Sequence, residues 1–126
     1  MKHAASVLAQ PIPDVSRADV ERVVRRDFPA ERATEVLAVL DQYGSEPWQE
    51  ERDRVHLAAL KLAAGDLDRL RARIEGGRID ARDLIAAAEY PAAMRLWSRS
   101  EPIASEAARP IIEADWRQYR EWLAKR

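Results

Sequence analysis

The chain has 126 residues, 47% hydrophobic and 34% charged, with 21 basic side chains against 22 acidic ones and no cysteine. That length is enough for one domain that buries roughly two-thirds of its unfolded surface without disulfides or metal. The missing cysteines exclude disulfides, thiolate zinc sites and cysteine nucleophiles, a net charge of −1 gives no general pull toward nucleic acid or anionic lipid, and no apolar run approaches the ~20 residues of a membrane span.

Residues 1–15 carry one lysine and end in Pro11-Ile12-Pro13. They are too short and polar for a signal peptide and read as an extended arm ahead of a single helical domain over 16–126. Ser16-Arg17-Ala18-Asp19 resembles a capping box with a short acid, and Val20, Val23, Val24 and Phe28 follow at helical spacing. On that helix Arg22, Arg25 and Arg26 are expected on the outer side. Pro29 breaks it. A second helix is expected over 30–43 with Ala33, Val36, Leu37 and Leu40 as its stripe, and Gly44 supplies a positive φ at its end. Pro47 sits near the first turn of a third helix expected over 48–64. There Val55, Ala58, Ala59 and Leu62, widened by Leu57 and Leu60, predict contact from more than one side.

Gly65-Asp66 is the sharpest punctuation, since glycine closes one helix and aspartate caps the next. Leu67, Leu70 and Ile74 carry the fourth helix, which Gly76-Gly77 is expected to stop. Asp80 caps a fifth with Leu84, Ile85 and Ala88 inward, and Pro91 interrupts it before a short turn with Met94, Leu96 and Trp97. Residues 98–102 read as a loop. The last helix starts near 103, with a break or kink at Pro110, and repeats Ile112, Trp116, Tyr119 and Leu123, widened by Ile111 and Trp122. No period-two strand appears. The expected fold is all-α, an antiparallel multi-helix bundle of about five to seven short helices with an N-terminal arm.

Three stretches of residues 53–91, namely Asp53-Arg54-Val55-His56-Leu57-Ala58-Ala59-Leu60-Lys61-Leu62, Gly65-Asp66-Leu67-Asp68-Arg69-Leu70 and Asp83-Leu84-Ile85-Ala86-Ala87-Ala88-Glu89-Tyr90-Pro91, resemble a helix–Gly-Asp–helix–helix core. It is similar to that of small uncharacterised bacterial all-helical proteins with a domain of unknown function. The resemblance implies a helical fold and a bacterial origin, and it carries over no functional residue.

Reaction chemistry finds little support. Asp53 and His56 lie three apart, as in one half of a di-iron carboxylate centre, but the only other histidine is His3. The plainer expectation is a surface or partly buried histidine beside an intrahelical acid. Glu46, Glu50, Glu51 and Asp53 are expected in the first turns of the third helix, where acids complement the dipole. None of the six serines lies in Gly-x-Ser-x-Gly or Ser-x-x-Lys, and no glycine-rich phosphate loop exists. The Gly65-Asp66 turn with Arg69, Arg71 and Arg73 resembles a helix-turn-helix. However, five arginines face five acids between Asp66 and Asp83, which leaves no basic face.

The C-terminal segment is richer. Trp116, Tyr119 and Trp122 lie close together with Arg117, Arg120, Lys125 and Arg126, and Trp, Tyr and Arg are the residues enriched at interface hot spots. At this helical spacing Ile112, Trp116, Tyr119 and Leu123 are first of all expected to pack onto the bundle, with Trp122 beside the stripe and Trp48 and Trp97 next to turns as half-exposed aromatics. The expectation is a non-catalytic protein–protein interaction module in a bacterial cytoplasm, binding another protein or itself, with Trp116, Tyr119, Arg120 and Trp122 as partner-binding residues and neither cofactor nor metal. A small DNA-binding regulator at Gly65-Asp66 and a metal-assisted enzyme around Asp53 and His56 are the alternatives.

Overall fold

The computed structural model describes residues 11–97 and 105–126. Among them lie seven α-helices and one 3-10 turn, with no strand: α1 (Arg17–Asp27), the 3-10 turn (Ala30–Arg32), α2 (Ala33–Leu40), α3 (Arg52–Ala63), α4 (Leu67–Ile79), α5 (Ala81–Glu89), α6 (Pro91–Trp97) and α7 (Ser105–Ala124). The protein is an all-α, multi-helix fold. The first ten residues of the expected arm, the loop over 98–102 and the exposure of Trp97 lie outside the described residues.

Burial of α3 organises the rest. Val55 through Leu60 and Ala63 are all buried, because α3 packs against α1, α4 and α5 at once. Small residues on one flank (Ala58, Ala59, Ala63) allow close approach, and Leu57 and Leu60 fill the remaining space. Val20, Val23 and Val24 of α1 and Val36, Val39 and Leu40 of α2 close the core on one side. Leu70 and Ile74 of α4 with Leu84, Ile85 and Ala88 of α5 close it on the other. α7 packs on α5 and α6 and builds a second, smaller cluster from Tyr90, Ala93, Ala108 and Ile112.

Caps set several boundaries as expected. Asp19 accepts the Ser16 backbone N–H at 3.0 Å at the start of α1. Asp66 accepts from Arg69 N–H and Asp80 from Asp83 N–H, fixing the starts of α4 and α5. Gly65 takes φ +82° just past α3, whereas Gly44, at φ +111°, lies beyond α2, which runs over Ala33–Leu40 and not over the expected 30–43.

Three further expectations are corrected. The third helix begins at Arg52 rather than Trp48, because the preceding loop satisfies its backbone through side chains and Glu51 adopts φ +54°, which a right-handed helix cannot contain. The acids Glu46, Glu50 and Glu51 therefore precede α3, and only Asp53 lies in its first turn. Next, α4 does not stop at Gly76-Gly77 but continues to Ile79. Gly77 is buried where a Cβ would lie 2.9 Å from Leu84 Cδ2 and 3.6 Å from Val55 Cγ1, so tertiary packing of this turn outweighs the low helix propensity of glycine. Finally, α7 does not break at Pro110, the sixth of its 20 residues: the ring removes one i→i−4 hydrogen bond, and the helix continues on both sides of it.

Candidate functional site

The loop over 41–51 is built around one side chain. Gln49 is buried, and its carbonyl oxygen accepts Gly44 N–H at 2.8 Å and Glu46 N–H at 3.2 Å. Tyr43 is buried too and donates its hydroxyl to the Glu50 carbonyl at 2.8 Å. Two side chains thus replace the helical hydrogen bonds these groups would otherwise need. The residue so presented is Trp48, whose surface is 65% exposed and which is the largest exposed hydrophobic among the described residues. Glu46 and Glu50 beside it are exposed, as is Glu51.

Beneath this loop lies His56, fully buried. Its Nε2 is 2.9 Å from the Tyr43 carbonyl and its Nδ1 is 3.4 Å from Arg17 Nη1. A carbonyl only accepts and a guanidinium only donates, so the ring is the neutral tautomer with Nε2–H donating to Tyr43 and Nδ1 accepting. Burial holds its pKa below the ordinary value, against the Tyr43 carbonyl and with Arg17 adding to the depression. This corrects the expectation of a surface or partly buried histidine near Asp53. That acid instead contacts Arg52, at 3.4 Å. No group of three His, Cys, Asp or Glu side chains among the described residues could hold a metal ion.

A second polar arrangement joins α3 to α5. Arg54 donates from Nε and Nη2 to the two carboxylate oxygens of Glu89, each at 2.8 Å, and from Nη1 to Glu51 at 3.1 Å. Glu89 is fully buried. Its neighbour Tyr90 donates its hydroxyl to the Pro11 carbonyl, which ties residue 11 to the helical body. Burial foremost, then Glu89, pushes the Tyr90 hydroxyl up to about 12.

α7 clamps the α5–α6 junction with two side chains three residues apart. The buried Asp115 carboxylate accepts Ala92 N–H at 3.3 Å and Ala93 N–H at 2.9 Å, neutralising the first turn of α6. Gln118 donates to the Ala88 and Glu89 carbonyls at 3.3 and 3.4 Å. Glu89 and Asp115 lie outside the expected site residues, although each occupies a stripe position, four after Ile85 and three after Ile112. A charge at an apolar-stripe position was the available signal. Gln49 carried a weaker one: Pro47 biases Glu46 away from helix.

The expected partner-binding set at the C-terminal helix is brought together but spent mostly inside the fold. Tyr119 is fully buried. Trp122 is half-buried, tilted against Tyr119 at 5.6 Å, with the Arg26 guanidinium 5.1 Å from its ring centroid. Trp116 packs on the smaller core cluster and Arg120, which is exposed, lies 5.9 Å over its ring. Arg22 and Arg26, expected on the outer side of α1, instead face the end of α7. Arg22 donates to the Leu123 carbonyl at 2.7 Å and Arg26 to the Trp122 carbonyl at 2.7 Å. They satisfy carbonyls that a helix end leaves unpaired. Of the arginines after the Gly65-Asp66 turn, Arg71 is paired with Glu35 of α2 at 2.8 Å, and Arg69 and Arg73 are exposed.

No described helix is long and apolar enough to cross a membrane. Comparison with protein-family models, curated proteins and solved structures finds no match.

Proposed function

We propose that this chain is a non-catalytic protein-interaction module that engages its partner, another protein or a second copy of itself, through the loop over 44–51 with Trp48 as the anchor. The observation that carries this reading is an indole 65% exposed on a loop whose backbone is held by buried Gln49 and Tyr43. Tryptophan is over-represented among residues that dominate binding energy. A loop already fixed by its own hydrogen bonds loses little conformational freedom on association, so more of the indole burial appears as affinity. The C-terminal aromatics support the fold at this point more than a partner, because Tyr119 is sequestered and Trp122 is covered by Arg26.

The test compares the full chain with its Trp48→Ala variant. Trp48 is 65% exposed and belongs to neither core cluster, so the variant is expected to keep its unfolding midpoint. Sedimentation analysis reads self-association, and quantitative capture from a native lysate reads a foreign partner. A stoichiometric species bound by the parent and lost in the variant is the expected result. A monomer that captures the same proteins with and without Trp48 would overturn the reading.

A further inference from the structure

At the other end of α3, away from the Trp48 loop, the helix closes on two successive residues of positive φ, Ala64 at 50° and Gly65 at 82°. This turn and the end of α7 border a groove of about 510 Å³. Four cations line it, Arg26, Lys61, Lys125 and Arg126, against a single acid, Asp27. Asp27 is consumed within the groove by Arg26, whose Nε stands 2.8 Å from its carboxylate. Arg26 spends its Nη1 on the Trp122 and Lys125 carbonyls. Among the described residues, no carboxylate lies within ion-pair distance of Lys61, Lys125 or Arg126. Three cations without an ion-pair partner among the described residues thus line one concavity in a chain whose net charge is −1.

Lys61 distinguishes this groove from an ordinary basic surface. It is half-buried and sits in the last turn of α3, where the helix dipole favours a positive charge. Burial nevertheless holds its ammonium below the ordinary value, with only the more distant Asp115 opposing. Burial takes hydration from this ammonium, and no carboxylate among the described residues forms an ion pair with it in return. The half-buried Trp122 supplies an apolar wall to the same groove.

We propose that this groove binds a small phosphate-class anion, free phosphate or a phosphomonoester, held by Lys61 together with Lys125 and Arg126, with the body of an ester against the part of Trp122 that Arg26 leaves open to the groove. The ligand supplies the counter-charge that Lys61 lacks. Phosphate, with several acceptor oxygens, can meet three separate donors at once. This site does not depend on the Trp48 reading.

Calorimetric titration of the full chain at constant ionic strength, with inorganic phosphate and with phenyl phosphate, tests it. Both anions are expected to bind. Tighter binding of phenyl phosphate assigns an ester ligand and a contribution from Trp122, and equal affinity assigns free phosphate. Lys61→Met keeps the aliphatic stem and removes the charge, so it is expected to weaken binding about tenfold or more with no loss of thermal stability. Lys125→Gln with Arg126→Gln, both at exposed positions, is expected to weaken binding severalfold and serves as the readout if Lys61→Met unfolds. No heat with either anion at millimolar concentration, or affinities unchanged in these variants, would overturn the proposal.

Discussion

Arg54 of α3 meets Glu89 of α5 with two parallel hydrogen bonds of 2.8 Å, and the Glu89 carboxylate is wholly removed from solvent. Such a bidentate pair fixes the rotation of α5 about α3 more sharply than apolar contact does, because both planes and both distances must match. Its net stabilisation is small, since both ions are desolvated, but losing one partner is costly. Glu89→Leu is expected to destabilise by about 3 kcal/mol, the lower end for a broken buried pair, because Glu51 still compensates Arg54 in part. Arg54→Met combined with Glu89→Leu is expected to recover most of that loss. Denaturant unfolding of the single and double variants decides the point, and a double variant as unstable as the single one would refute it.

The His56 ring gives the protein a defined pH response. Its folded-state pKa is depressed, so above its unfolded value of about 6.5 both states are neutral and the group adds no pH dependence. As pH falls below that value, the unfolded chain takes up a proton that the folded one resists, and stability declines until the lowered folded value is reached. Protonation would also set an Nδ1–H against the Arg17 guanidinium, two donors facing each other. Unfolding free energies between about pH 7.5 and pH 5.5 are expected to fall more steeply for the parent than for His56→Gln, whose amide can still donate to Tyr43. Parallel slopes would contradict this account.

Adjacent glycines in α4 predict opposite outcomes. A Cβ at Gly76 meets no atom within 4 Å, and at Gly77 it would lie 2.9 Å from Leu84 Cδ2. Both residues are helical, so Gly76→Ala is expected to raise stability by up to about 1 kcal/mol from propensity alone. Gly77→Ala gains the same propensity but drives a methyl against the buried Leu84 side chain, which must leave its place in the core, for a net loss of about 1 kcal/mol. Thermal unfolding of the pair reads both signs, and a stabilising Gly77→Ala would show that α5 yields freely.

Tyr119 buries a hydroxyl that has no hydrogen-bond partner among the described residues. Burial raises its pKa, with Glu89 adding to the shift. An unpaired buried hydroxyl costs on the order of 1–3 kcal/mol, so Tyr119→Phe is expected to leave stability unchanged or raise it. A clear drop in the unfolding midpoint would mean that the hydroxyl is satisfied after all.

Much of the fold follows from the sequence. The stripes Val20-Val23-Val24 and Leu70-Ile74, the caps Asp66 and Asp80 and the positive φ at Gly44 and Gly65 are local, and a local pattern of 3.6-residue period and short polar caps determines a helix and its start. The all-α class was settled at that level. Tertiary structure decided what local rules cannot. Gly76-Gly77 stays helical because Gly77 lies against Leu84 and Val55, partners seven and twenty-two residues away in the chain. Residues 48–51 leave the helix because Gln49 and Tyr43 satisfy the loop's backbone. Trp48 was expected as a half-exposed aromatic at the start of a helix, and its place on a fixed loop emerged only with those two partners present. Tyr119 suited both a core stripe and a partner surface in the sequence and lies buried, since a stripe of apolar residues does not state which neighbour covers it. Glu89, Asp115 and Lys61 depend on residues distant in the chain for their pairing or its absence. Their roles are set by burial and counter-charge, which arise only when separate helices meet.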